Sequence, residues 1–281
     1  MHIAPVLGKL LLTKLTAQQI QAFYAQKLAE CQSSTSVHHM HSTLHRVLNK
    51  ALRLGLVHRN VADLAESPPL KRPMYTTFTP DESRRFLDAI EGDRLEALYV
   101  LAITTGMRRG ELLALRWRDV DFEQGALHIN ATLAYVQGSP VFTEPKTDYS
   151  RRQVALTVLA LDALQAHKAR QDEERAACPE WDASFNLIFP NTIGKPMNPS
   201  NLVNREFSPL LKRVELPHIR FHDLRHTAAT LMLKAGVPAK VVSEMLGHSH
   251  VSITLGVYSH VTPDMQQDAA LAMNRILSKE K

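Results

Sequence analysis

Residues 126–156 read ALHINATLAYVQGSPVFTEPKTDYSRRQVAL, and this stretch decides the fold class. Ala126 to Tyr135 is rich in β-forming residues, Gln137-Gly138-Ser139-Pro140 is a turn, and Gln153-Val154-Ala155-Leu156 is a short strand. The expected product is a small antiparallel meander. On both sides of it the apolar residues recur at helical spacing. The class is therefore mainly α with a small antiparallel β-sheet.

Upstream, Thr79-Pro80-Asp81-Glu82 combines an N-cap, a proline at the first helical position and a capping-box glutamate. Helical patterning follows to about Leu115. Before it, residues 67–78 (SPPLKRPMYTTF) hold three prolines and no regular period. This predicts a linker over 71–78 between domains at 1–70 and 79–281. In the first domain, Thr16 and Gln19 form a capping box for a helix carrying Ile20, Phe23, Tyr24 and Leu28. A second helix is expected from Ser34 to Leu54, with Val37, Met40, Leu44, Val47, Ala51 and Leu54 as its apolar stripe, closed by Gly55. At 100° per residue, His39, Arg46, Lys50 and Arg53 share the opposite face.

Charge is divided unevenly. The 281 residues carry 33 Lys+Arg against 28 Asp+Glu, a net charge of +5. Residues 1–75 hold nine basic side chains and three acidic ones, so a net +6 sits in the first quarter and the remainder is nearly neutral. With no interleaved acid, the His39–Arg53 stripe, together with Lys71 and Arg72, points to a polyanion such as DNA, although a charged outer face is also what any surface helix presents. The longest central apolar run, Ala97 to Ile103, is far short of the ~20 residues of a membrane span. No leader-like N-terminal pattern is visible. Two cysteines, Cys31 and Cys178, build neither a disulfide framework nor a metal-spaced pair, so a reducing cytoplasm is the expected compartment. His41 and His45, at i and i+4, have no adjacent carboxylate or cysteine; a solvated or DNA-facing surface is expected there and no metal.

Four segments carry chemistry-bearing residues. Thr105–Leu115 (TGMRRGELLAL) places Arg108 and Arg109 at a helix start, where arginine is electrostatically misplaced unless an anion or Glu111 compensates. Pro145–Arg152 (PKTDYSRR) sets Lys146 between two strands, where a lysine is ordinarily solvated. His222-Asp223-Leu224-Arg225-His226 brings His222 and Arg225 to one helix face, as a surface pair also would. Leu246-Gly247-His248-Ser249-His250 follows a helix over Pro238–Leu246, and Tyr258 lies ten residues beyond His248. Taken singly, each segment has an ordinary structural explanation. Together, two arginines, a lysine, two histidines and a tyrosine suit nucleophilic attack on a phosphodiester.

These segments resemble, in order and at similar intervals, the signatures of the tyrosine recombinase (phage integrase) family over about residues 79–265, and the N-terminal helices resemble its core-binding domain in outline. The resemblance implies a site-specific recombinase or integrase that cuts and rejoins DNA without cofactors. Tyr258 would be the nucleophile that forms a 3′-phosphotyrosyl link. Arg108 and Arg225 would hold the phosphate, Lys146 would be the general acid, His222 would take or relay the tyrosine proton, and His248 would hydrogen-bond a phosphate oxygen. Glu111 would brace Arg108. The implied partners are double-stranded DNA, further copies in a tetramer that dock C-terminal segments such as Thr262–Leu277, and accessory bending or excision factors. The chain begins inside the region matching the core-binding domain, so a shortened gene product is expected. Asn60-Val61-Ala62 stands where Asn-Pro-Ala is common. A type IB topoisomerase and an inactive DNA-binding remnant are the alternatives. A helix-turn-helix spacing over Thr227–Leu246 keeps a non-catalytic DNA-binding protein in view as well.

Overall fold

The computed structural model describes residues 2–70, 75–144 and 151–258 and the single positions 271, 273, 274 and 277; at 257 and 258 it describes the backbone alone. Contacts group into two compact units, Met1–Met74 and Tyr75–Lys281.

The first unit is helical. A short α1 (Ala4–Leu7) precedes α2 (Ala17–Ala29), whose start is fixed by the reciprocal Thr16–Gln19 capping box, and α3 (Ser34–Arg53), capped by Ser33. Ile20, Phe23 and Tyr24 of α2 are buried, as expected, whereas Leu28 is exposed and the stem of Lys27 takes an inward position, its ammonium paired with Glu30 at 2.7 Å. On α3 the buried positions are Val37, Met40, Leu44, Leu48 and Ala51. Val47 and Leu54, expected inside, lie out at 52% and 63% exposure. The packed face advances by four residues from Leu44, to Leu48, and so centres one position beyond the expected stripe. His39, Arg46, Lys50 and Arg53 are exposed. His41 and His45, expected at a solvated or DNA-facing surface, both have partners within the unit, although His45 keeps 38% of its side chain exposed. His38 bonds Ser67 at 2.7 Å, His45 bonds Asp63 at 2.8 Å, and the His41 Nδ1 lies 2.9 Å from the Tyr24 hydroxyl.

The second unit opens at Tyr75. Phe78, inside the segment read as linker, is buried, and its N–H donates to the Thr227 hydroxyl at 3.1 Å. Helix α4 (Pro80–Ala89) starts at the Thr79–Glu82 capping box. Helix α5 (Glu96–Thr105) is buried on almost every side, which its nearly continuous apolar sequence allows, and it forms the centre of the core. It ends at Gly106, whose φ of +65° is the left-handed conformation glycine adopts without strain. Helix α6 (Arg109–Ala114) follows at once.

The β region forms two sheets and not one meander. Strands β1 (Val120–Asp121), β2 (Ala126–Ile129) and β5 (Arg152–Ala155) make an antiparallel sheet ordered β1-β2-β5, with Ile129 opposite Arg152. Strands β3 (Thr132–Val136) and β4 (Ser139–Thr143) form a separate hairpin. Its two-residue turn has positive φ at Gln137 and Gly138, the primed geometry that matches strand twist. The expected continuous strand from Ala126 to Tyr135 breaks at Asn130-Ala131, and the last strand returns to β2.

Helix α7 (Val158–Ala177) packs on α5. A short α8 (Pro199–Asn201) continues through a π-helical turn, Leu202–Phe207, into α9 (Ser208–Arg213). Helices α10 (Asp223–Lys234), α11 (Ala239–Leu246) and α12 (Val251–Tyr258) follow. The helix–turn–helix of α10 and α11 buries Ala229, Val242 and Leu246 against one another.

Candidate active site

Three chain segments far apart in sequence meet where α5 passes into α6, where β5 begins, and at the end of α11. Arg108 stands at the N-cap of α6, and Glu111, 3% exposed, lies one turn inside. The Glu111 carboxylate accepts the Arg108 backbone N–H at 2.9 Å and the Arg108 guanidinium at 2.8 Å. Arg152, on the first residue of β5, donates two more bonds to the same carboxylate, at 3.3 and 3.0 Å. Arg108 also donates to the Gly247 carbonyl at 3.1 Å, and Arg152 to the Met245 carbonyl at 2.7 Å. Burial pushes the Glu111 carboxyl up, but Arg152 and Arg108 outweigh it and hold the group below its ordinary value. Arg108 keeps 40% of its side chain exposed, so it has a face left for a ligand, whereas Arg152 keeps 7%.

Arg225 lies one turn into α10 and is 3% exposed. Its guanidinium donates to the Gly106 carbonyl at 2.8 Å. Gly106 also permits a close approach: a Cβ there would lie 2.4 Å from Leu246 Cδ2 and 3.3 Å from Ala228 Cβ. Its position therefore joins α5, α10 and α11. His222 occupies the N-cap of α10, and its ring meets His226 edge-on at 5.4 Å. The other flank of His226 stacks on Tyr75 at 4.0 Å. Arg220 closes this side through a two-point pair with Asp223, at 3.0 and 2.7 Å.

His248 leaves α11 just after Gly247, whose φ of +67° turns the chain back. Its Nδ1 lies 2.8 Å from the hydroxyl of Thr254, a fully buried residue of α12. Burial lowers the pKa of His222, with Arg225 acting in the same direction. Burial and then Arg225 and Arg108 bring His248 to about 4, and burial with His222 brings His226 to about 4. All three imidazoles are thus neutral at pH 7. A cleft of about 590 Å³ opens beside this cluster, lined by Arg151, Arg152, Lys240, Gly247, His248 and His250 among others.

Arg108, Glu111, His222, Arg225 and His248 are therefore brought together. Tyr258 is the last residue of α12, whose first turn begins three residues beyond His248. Lys146, Lys71 and Arg72 lie outside the described residues, as does most of Thr262–Leu277. His39, Arg46, Lys50 and Arg53 belong to the other compact unit. Among the described residues no group of three or more His, Cys, Asp or Glu is placed to hold a metal, and no helix is long and apolar enough to cross a membrane. Arg152 and Thr254 carry no assigned role in the sequence reading. The parity of β5 was a signal for Arg152, since it shares a strand face with the fully buried Val154. For Thr254 no signal stands out.

The model of the phage integrase family matches residues 76–265. A tyrosine recombinase XerC-like protein of Caldanaerobacter subterraneus is 32% identical over 274 residues, covering 91% of this chain and 70% of the relative. The ICEBs1 integrase of Bacillus subtilis is 27% identical, covering 98% of this chain and 75% of the relative. Among solved structures, the Tn1549 transposon integrase in complex with a circular intermediate DNA has the same fold, with a TM-score of 0.79 at 22% identity over 92% of this chain and 86% of that one. The named relatives are recombinases and integrases, which gives the topoisomerase reading no support.

Proposed function

We propose a mechanism from the premise that this chain belongs to the phage integrase family, the tyrosine-type site-specific recombinases. The Tyr258 phenol oxygen attacks a backbone phosphorus of double-stranded DNA. A phosphorus–oxygen bond to tyrosine forms, the bond to the 5′-oxygen breaks, and a 3′-phosphotyrosyl link remains. The tyrosine proton passes to His222, which is neutral at pH 7 and so able to take it. The departing 5′-oxygen takes a proton from Lys146. A tyrosine with an ordinary pKa near ~10 is almost wholly protonated at neutral pH, so the base and the surrounding positive field are both needed.

Arg108 and Arg225 bind the non-bridging oxygens, where charge grows in the transition state; one such donor is ordinarily worth about 10²–10³ in rate. In the tautomer whose Nδ1 accepts the Thr254 hydroxyl, neutral His248 carries its proton on Nε2 and donates it toward a phosphate oxygen. Glu111 orients Arg108. Rejoining runs the same steps in reverse with a 5′-hydroxyl from another strand. The phosphotyrosine conserves the bond energy between the two steps, so the cycle requires no cofactor.

The N-terminal unit serves as the core-type DNA-binding domain, with His39, Arg46, Lys50, Arg53, Lys71 and Arg72 on the phosphate backbone, and residues 79–281 form the catalytic domain. Strand exchange takes place in a tetramer with C-terminal segments docked on neighbours, on nucleoid DNA, and accessory bending or excision factors set its direction.

What carries this reading is the convergence of two arginines and two neutral histidines from three distant segments, with His248 lying in the field of both Arg225 and Arg108. The test is a nicked suicide substrate bearing the element's core site. Wild-type protein should form a denaturant-resistant adduct and Tyr258→Phe none; an adduct that survives in Tyr258→Phe rules the assignment out.

A further inference from the structure

Resting on the recombinase reading, we propose that Arg152 is a positioning residue of the cleavage centre, holding Arg108 and the turn that presents His248 in one rigid ring. Every nitrogen of its guanidinium is committed: Nε to the Met245 carbonyl, Nη1 and Nη2 to the two oxygens of Glu111. Its guanidinium is spent on these partners within the protein, so its part is to hold them and not to bind the substrate phosphate. The Arg108 guanidinium shares Oε1 of the same carboxylate and donates to the Gly247 carbonyl.

The carbonyls of Met245 and Gly247 belong to the C-terminal end of α11, where several carbonyls have no partner within the helix. Two arginines therefore cap one helix end and share one carboxylate, which closes a ring through Arg108, Glu111, Arg152 and α11. Gly247 lies directly against the Arg152 guanidinium. A Cβ on Gly247 would stand 2.6 Å from Nη1 and 2.9 Å from Cζ. His248 is the next residue, so a shift of Arg152 moves both the phosphate-facing arginine and the histidine.

A buried ion pair is weak support for stability alone, since apolar residues of similar volume often serve as well or better. Its advantage here is geometric. Three directed bonds from a planar fork fix two neighbours at once, and a lysine ammonium cannot reproduce that geometry.

The test measures adduct formation on the suicide substrate by the full chain, with DNA affinity and thermal unfolding in parallel. Arg152→Lys should slow cleavage about 10- to 100-fold, less than the about 10²–10³ lost when a donor that itself touches the phosphate is removed, and leave DNA affinity within about threefold. In an Arg108→Ala background the added penalty should shrink to less than about threefold, because residues acting as one unit are not additive. Gly247→Ala, which displaces the guanidinium without removing it, should show the same two-background pattern and carries the test if Arg152→Lys is poorly folded. Equal penalties in both backgrounds, no penalty at all, or loss of folding in both variants would each overturn the proposal. A wild-type protein that forms no adduct would instead remove the recombinase mechanism on which it rests.

Discussion

Glu111→Gln is the substitution whose cost can be worked out most fully. The change is nearly isosteric, so packing is preserved and electrostatics alone is perturbed. Each carboxylate oxygen accepts two donors: Oε1 takes Nη1 of both Arg108 and Arg152, and Oε2 takes the Arg108 backbone N–H and Arg152 Nη2. Whichever way a glutamine amide is turned, its NH₂ faces two donors, at least one of them on a guanidinium. Arg152 is then left with 7% exposure and no carboxylate. Removing one partner of a buried ion pair costs about 3–5 kcal/mol. For a unit of this size, 1 kcal/mol moves the melting temperature by roughly 2–4 °C, so the transition should fall by about 6–20 °C. Thermal unfolding followed by circular dichroism at pH 7 measures it, and adduct formation should fall in parallel as Arg108 loses its brace. The pH dependence gives a second check. The folded carboxyl sits below its unfolded value, so its contribution is present above about pH 4.5 and is lost as pH falls through the folded pKa. Glu111→Gln should therefore lose the difference from wild type under acid. A variant that melts within about 2 °C of wild type and cleaves at full rate would refute the account of Glu111 as the shared anchor of two guanidiniums.

Gly106→Ala combines a left-handed backbone with a Cβ 2.4 Å from Leu246 Cδ2; strain of about 1 kcal/mol and overpacking of about 1–3 predict roughly 2–4 kcal/mol lost in urea unfolding, together with slower cleavage as Arg225 shifts. A loss below about 0.5 kcal/mol would contradict the packing described. His226 and His248 have folded pKa values of about 4, below the unfolded value near 6.5, so the stability they contribute is complete above pH 6.5 and drains away as pH falls toward 4; His226→Gln should flatten melting temperature against pH in that window, and an unaltered profile counts against the burial argument. Arg46→Ala with Lys50→Ala should weaken DNA binding and reduce its log–log salt slope by about 0.9 for each phosphate that is no longer neutralised, and an unchanged slope would take the α3 face off the DNA. Lys146→Ala should slow cleavage of ordinary DNA but not of a 5′-phosphorothiolate, whose thiolate leaves without a proton; failure of that rescue would give Lys146 another role.

The helices were legible wherever local chemistry fixes an end. Thr16–Gln19 and Thr79–Glu82 form the capping boxes their spacing implies, and Gly247 turns the chain at the end of α11. What was not legible depends on distant partners. Val47 and Leu48 are both apolar neighbours, and only the packing of α3 within its unit decides that Leu48 faces in. The same limit applies to the β region. Strand identity follows from residue type, but pairing does not: β5 lies after the hairpin in sequence yet aligns with β2, because Val154 opposite Leu127 completes the buried face of that sheet. The outward expectation for His41 and His45 missed partners at positions 24 and 63, which no local pattern announces.

The candidate site shows the same division more sharply. Arg108, His222, Arg225 and His248 stand out because arginine and histidine beside glycine or at a helix start conflict with local preference unless something else employs them. Arg152 raises no such conflict, since an arginine entering a strand after a loop is ordinary. Strand parity with Val154 marks only the face it shares; its importance follows from a fact that becomes visible in three dimensions, that Glu111 lies against that face with a second arginine already attached. A motif reading therefore selects groups that can touch a phosphate and passes over those that hold them in place. If catalysis depends on preorganised donors, the residues overlooked in this way should rival the recognised ones in their effect on rate while leaving DNA affinity almost unchanged, because affinity is spread over many phosphate contacts and the rate depends on the direction of two guanidiniums.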